Sequence, residues 1–198
     1  MTGTGKILWV ATLAAVLGAV AGLTLNRGGI VWQTQIGQDL LERRARARQP
    51  VPDGVAVATV GSVIPAIELP TLDAGRLRLP ADVRGRATVI NLWASWCGPC
   101  IIEMPELSRF AGEQGANGTQ VVGIALDDEN AVREFLTRIS VAYPIALDTP
   151  GRSDAGVQLG NARGVLPYTV LLDAEGRLLK RKVGPFVPGE LDTWARVP

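Results

Sequence analysis

Histidine is absent from this chain, and only two of its 198 residues are cysteine. The first absence removes imidazole from any general-base, Ser/His/Asp or metal-ligand scheme. The second leaves too few ligands for a tetrahedral zinc site, which draws four mainly from Cys and His. A net charge of either sign is also lacking: the formal value is +1, and the basic residues are scattered apart from Arg43, Arg44, Arg46 and Arg48. No strong field therefore calls for nucleic acid or an acidic partner. Internal repeats and low-complexity tracts are missing too. What is present, 47% hydrophobic and 20% charged residues, suffices for one ordinary globular domain plus an appendage.

The appendage is N-terminal. Ile7 to Leu25, ILWVATLAAVLGAVAGLTL, carries no charge and lies between Lys6 and Arg27. A run of roughly nineteen residues just spans a bilayer, so residues 1–27 are expected to form a transmembrane anchor. Ala19-Val20-Ala21 also suits a signal peptidase, which makes a cleaved signal the alternative, and a buried core helix is the third reading. Lys6 and the amino terminus favour an inside N-terminus, whereas Arg27 and the arginine cluster favour the opposite. Long following domains translocate largely regardless of charge, so the C-terminal part is expected outside. Residues 28–55, with Gly28-Gly29, a short amphipathic piece from Ile36 to Arg44, Pro50 and Pro52, read as a linker. The arginines there form either a solvated helix face or a contact for anionic lipid head groups.

Residues 56–198 show the alternation of a compact α/β domain. Ala87–Trp93, ATVINLW, is a continuous apolar run suited to a strand covered on both faces. The helix expected from Pro99 to about Gln114 repeats Ile101, Met104, Leu107 and Phe110 at three-residue steps, with Pro105 expected to bend it. Gln120–Leu126 reads as a second buried strand, and Asn130–Ile139 as a helix with Val132, Phe135, Leu136 and Ile139 on one face. These units make a βαβ pattern. Short strands follow at Tyr143–Leu147, Tyr168–Leu172 and Arg177–Val183, the last pair a hairpin around Asp173-Ala174-Glu175-Gly176. A helix from Pro188 to Arg196 closes the chain. The sum is a mixed central sheet with helices on both faces.

Both cysteines fall in WASWCGPC, residues 93–100. That address, between a buried strand and the mouth of a helix, suits a thiolate, because free backbone N–H groups and the helix dipole stabilise an anion there. Cys97 is thus the expected nucleophile. Cys100, one turn away, can attack a mixed disulfide on Cys97 and release the partner reduced. Gly98 and Pro99 hold the turn and start the helix. Trp96 is expected to flank the thiol and Trp93 to lie in the core. A merely structural disulfide closes so short a loop that it removes little chain entropy.

NLWASWCGPCIIEMPEL, residues 91–107, resembles the thioredoxin superfamily. With Glu103 three residues after the second cysteine and Pro105 two later, it is similar to the membrane-anchored TlpA/ResA/CcmG branch, a likeness running from about Gly61 to the C-terminus. GVLPYTVLLDAEGRLLKRKVG, residues 164–184, matches that family's cis-proline loop. The resemblance implies a thioredoxin fold in which Pro167 is cis and faces the cysteines, and Leu166 offers backbone groups to a bound partner. Trp96, Gly98, Pro99, Leu166 and Pro167 are then the expected partner-binding residues. Asn91 stands where cytoplasmic thioredoxins carry a buried proton-accepting aspartate. Glu103 is implied to take that task at Cys100, its other reading being a surface glutamate in a first helical turn. Asp127, Asp128 and Glu129 are expected to be solvated acids capping the next helix, the alternative being that they read a basic partner. Tyr168 either lines the partner groove or simply starts a strand.

The implied activity is that of a thiol–disulfide oxidoreductase in the bacterial inner membrane, single-pass, with its C-terminal domain in the periplasm. It would reduce disulfides in partner proteins of cytochrome c maturation or oxidase assembly. Electrons would come from a membrane-embedded thiol donor, with no metal and no cofactor beyond the Cys97–Cys100 disulfide. A disulfide-donating oxidase uses the same residues. A peroxiredoxin-like peroxidase would place Pro and Thr before Cys97, where Trp93-Ala94-Ser95-Trp96 stands. A copper-handling protein of that fold uses wider cysteine spacing and a histidine.

Overall fold

A computed structural model describes residues 53–115 and 117–197. The apolar run at Ile7–Leu25, the arginine cluster and the linker as far as Pro52 lie outside the described residues. Among those described, no helix is long and apolar enough to cross a membrane.

The apolar run before the cysteines forms β3 (Thr88–Trp93), buried at every position. It is the middle strand of a five-stranded sheet. β4 (Gln120–Leu126) lies parallel to β3, and β5 (Ile145–Asp148) parallel to β4. On the other side β6 (Tyr168–Leu172) runs antiparallel to β3, and β7 (Leu178–Val183) antiparallel to β6, giving the order β5-β4-β3-β6-β7. Among the described residues the α-helices are α1 (Gly98–Glu113), α2 (Glu129–Leu136), α3 (Ala155–Gln158) and α4 (Glu190–Trp194).

Successive side chains of a strand point to opposite faces, so β3 supplies two cores. Val89 and Trp93 pack with Met104, Leu107 and Phe110 of α1, Val132 and Phe135 of α2 and Leu191 of α4. Ile90 and Leu92 face the other way, onto Ala155 of α3 and the hairpin β1 (Ile67–Pro70)–β2 (Arg76–Leu79). Helices thus cover both faces of a mixed sheet, the thioredoxin-like arrangement expected. Cutting a fully buried leucine such as Leu107 to alanine would cost about 2–5 kcal/mol.

Several boundaries moved, each for a local reason. α2 stops at Leu136 with Thr137 as C-cap, although Ile139 still packs against the core. β5 begins after Pro144, which has no N–H to give a ladder. α4 begins at Glu190, after Gly189 in a left-handed conformation. α1 runs through Pro105 to Glu113 without interruption. The turn between β6 and β7 forms as read, with the Asp173 side chain accepting from the Glu175 and Arg177 amides at 3.0 and 2.8 Å. The β1–β2 hairpin was not anticipated: RLRL alternates charge with leucine between two prolines, so it is not an apolar run. α3, four residues long, shows too little periodicity to be read.

Candidate functional site

β3 delivers the chain to the cysteines. Beyond Trp93 the backbone turns, with the Cys97 N–H donating to Ala94 O at 3.1 Å. Asp127, at the end of β4, holds this loop from outside: its Oδ2 accepts from Ser95 N at 2.9 Å and Ser95 Oγ at 2.6 Å. Asp127 is therefore a clamp on the active loop. Its neighbour Asp128 does cap α2 as expected, accepting from the Asn130 and Ala131 amides.

Cys97 is the N-cap of α1, with φ −87° and ψ 96°, and its Sγ accepts from the Cys100 amide at 3.3 Å. The two cysteines are joined as a disulfide, with Cα atoms 5.3 Å apart. Sulfur at a helix mouth, facing an amide donor, is where negative charge is favoured. Cys97 retains 5% exposure and Cys100 none. An incoming protein can therefore approach only the first. Around it Gly98 and Pro99 are exposed, while Trp96 at 69% and Ile102 at 73% offer apolar surface. Trp93 is fully buried, as expected.

The Leu166–Pro167 peptide bond is cis. Leu166 packs against the cluster that contains both cysteines. The approach to this loop is pinned by Asn161, whose amide donates to Val165 O at 2.9 Å and whose Oδ1 accepts from Val165 N at 3.1 Å. Its far side is tied to the sheet by Gly184 N donating to Pro167 O at 2.9 Å. Tyr168 is buried and donates to Leu159 O at 3.1 Å, so it starts β6 rather than lining a groove.

Glu103 is not a surface residue; it is 0% exposed. One turn beyond Cys100 on the buried side of α1, its Oε1 accepts from Asn91 Nδ2 at 2.8 Å and its Oε2 from the Phe186 amide at 3.0 Å. Desolvation dominates its electrostatics and pushes the carboxyl up to about 7, against the opposing pull of the Phe186 and Asn91 hydrogen bonds and of Lys182. A group with that midpoint takes and gives a proton near neutrality. Tyr143 shares the environment: burial, then the Glu103 charge, raises its phenol.

Asp127, Asn161, Thr169, Lys182 and Glu190 were not foreseen. Asp127 is neither simply a solvated acid nor a cap of α2, since its Oδ2 is taken up by Ser95. Thr169 accepts from Asn91 Nδ2 at 3.0 Å, and Lys182 donates to Glu190 at 2.8 Å. For Thr169 the available signal was a hydroxyl inside the otherwise apolar YTVLL, whereas Lys182 is one of three consecutive cations in LLKRKV and carries no such signal. Among the described residues, no group of three or more His, Cys, Asp or Glu is placed to hold a metal ion.

A CxxC disulfide capping the helix that follows the central strand of a mixed sheet defines the chain as a thioredoxin-like thiol–disulfide oxidoreductase. The chain belongs to the redoxin family, whose profile matches residues 59–195. It is 33% identical over 137 residues to the thiol:disulfide interchange protein DsbE of Pseudomonas aeruginosa, covering 67% of this chain and 71% of that protein. Against the thiol-disulfide oxidoreductase ResA of Geobacillus thermodenitrificans the identity is 33% over 124 residues, or 61% and 67% of the two chains. The crystal structure of a secreted thiol-disulfide isomerase from Corynebacterium glutamicum superposes with a TM-score of 0.58 at 25% identity, over 73% and 92% of the chains.

Proposed function

We propose that this oxidoreductase works outside the cytoplasm as a reductant of disulfides in selected partner proteins, of the kind matured for cytochrome c or oxidase assembly. Residues 1–27 anchor it, residues 28–55 act as linker and residues 56–198 carry the chemistry. The observation that carries the reading is Cys97 at a helix mouth, disulfide-bonded to a fully buried Cys100, beside a buried Glu103 whose carboxyl is pushed up to about 7. The names of the DsbE and ResA relatives support it.

In the reduced protein, the Cys97 thiolate attacks one sulfur of the partner disulfide, forming a mixed disulfide and expelling a partner thiolate. Glu103 then takes the Cys100 proton. The resulting thiolate attacks Cys97 Sγ, closing the internal disulfide and releasing the second partner thiol. Two electrons pass to the partner and are restored by a membrane-embedded thiol donor. Trp96, Gly98, Pro99, Leu166 and Pro167 hold the partner strand over the sulfur.

The test is the reduction potential of the full chain, equilibrated against dithiothreitol and glutathione with thiol trapping. A value near thioredoxin's roughly −270 mV is expected. One near the roughly −120 mV of a strong oxidant would reverse the direction and make the protein a disulfide donor.

A further inference from the structure

A row of polar side chains crosses the sheet beneath α1. Asn91 of β3 is the register partner of Thr169 in β6, and Thr169 that of Lys182 in β7. Cross-strand partners share a face, so these side chains lie together on the side that α1 and α4 cover. Asn91 bridges two of its neighbours, donating to Thr169 Oγ1 at 3.0 Å and to Glu103 Oε1 at 2.8 Å. At the end of the row Lys182 is only 5% exposed, and among the described residues no other lysine or arginine is buried so deeply.

A lysine is not buried without a reason, because stripping water from an ammonium is expensive unless an anion replaces it. The anion it touches is Glu190 of α4, at 2.8 Å. Lys182 also sits 5.1 Å from the centre of the Phe186 ring, the residue whose amide holds Glu103 Oε2. Glu190 in turn accepts from the Val187 amide at 3.0 Å. Glu103 and the Lys182–Glu190 pair therefore grip adjacent residues of one short segment. Both donors to Glu103, an amide side chain and a backbone N–H, are neutral, which leaves Lys182 as the buried cation of its surroundings.

The other titratable groups around Glu103 are accounted for. Cys100 is the sulfur it serves. Glu106, on the same helix, is bound to Arg109 at 2.7 Å, and Arg109 is also bound to Asp192 of α4 at 2.9 Å. Tyr143 approaches from the segment before β5 as a neutral phenol, and Lys180 of β7 is engaged with the Trp194 and Arg196 carbonyls.

We propose that Lys182 is a positioning residue for the redox reaction: through a charge balance with Glu190 it sets whether Glu103 is ionised, and so when Cys100 can be deprotonated. The second half of that statement rests on the proton role assigned to Glu103 above. Lys182 and Glu190 act in opposite directions, the cation favouring the Glu103 carboxylate and the Glu190 anion opposing it.

The experiment is the titration of the Glu103 carboxyl carbon by 13C NMR in the reduced, full-length chain, its resonance assigned by loss in Glu103→Gln. The Cys100 alkylation rate is measured against pH in the same samples. In Lys182→Met the Glu103 midpoint is expected to rise, because the cation that favours the carboxylate is lost. Glu190→Gln, which keeps an oxygen for the Val187 amide, is expected to lower it. Lys182→Arg should leave it near the wild-type position. Midpoints that stay put, or that move the same way in Lys182→Met and Glu190→Gln, overturn the proposal. Opposite movements of the carboxyl with an unchanged Cys100 profile support the Lys182 assignment and refute the proton role of Glu103.

Discussion

Exposure divides the labour between the sulfurs. Cys97 caps α1 and keeps 5% of its surface, while Cys100 has none, so a partner's disulfide can reach only Cys97 and Cys100 can meet only the Cys97 sulfur. The expected outcome for Cys97→Ser is loss of disulfide-reductase turnover by several orders of magnitude, since an alcohol is not a usable nucleophile here. Cys100→Ser is expected to accumulate partner mixed disulfides visible on non-reducing gels. Turnover retained in the first variant would contradict the assignment. The placement of both cysteines was readable from WASWCGPC, because strand, turn and helix mouth follow one another directly in the chain. Glu103 was only half readable: nothing in its neighbours says whether that helical position faces water or the Asn91 amide.

Among the elements, the strand–loop–helix unit of β3 and α1 is held by parts distant in sequence. Asp127 ties Ser95 through both its amide and its hydroxyl, from 32 residues away. Replacing Asp127 by alanine leaves the half-buried Ser95 amide without its carboxylate acceptor, and stability should fall by about 1–3 kcal/mol. Asp127→Asn, which keeps one acceptor oxygen, should lose less; guanidinium unfolding of the pair measures both. Equal loss in the two variants would show that charge, not the acceptor, matters. Gly123 illustrates the same dependence across strands. A Cβ there would come within 2.5 Å of Ile145 Cδ1, 3.1 Å of Tyr143 Cε2 and 3.2 Å of Trp93 Nε1, so the bare backbone of β4 makes room for Ile145 and both rings beside Asn91. The helices were legible because each buries one continuous face, and the long apolar strands because they are buried on both. β1 and β2 were not, because their burial is decided by a sheet surface they meet only after folding.

For the whole molecule, a buried carboxyl makes stability depend on pH. Glu103 binds its proton more tightly when folded, its midpoint rising from 4.5 in the open chain to about 7. The stability it contributes is fully present below pH 4.5, declines as pH rises and is lost through about 7. Its size is on the order of 3 kcal/mol. Guanidinium unfolding midpoints of the wild type should therefore fall between about pH 5 and pH 8, and Glu103→Gln should remove that part of the slope. A wild type whose stability rises across this window, or a variant with the same slope, would mean that the burial is relieved in solution.

Taken by itself, the order of residues determined the domain class, the sites of the main strands and helices, and the redox pair. These depend on local spacing: apolar periodicity, a proline in the first turn of a helix, and thiols one turn apart. Only the tertiary structure decided what surrounds the sulfurs. Asn91, Thr169 and Lys182 come from different strands, Glu190 from the last helix and Asp127 from the end of β4. Asn91, Thr169 and Lys182 line up because β3 pairs with β6 and β6 with β7, Glu190 reaches Lys182 from the helix packed over them, and Asp127 reaches Ser95 because β4 pairs with β3. Burial beneath α1 then removes the water that would otherwise have kept Glu103 an ordinary carboxylate.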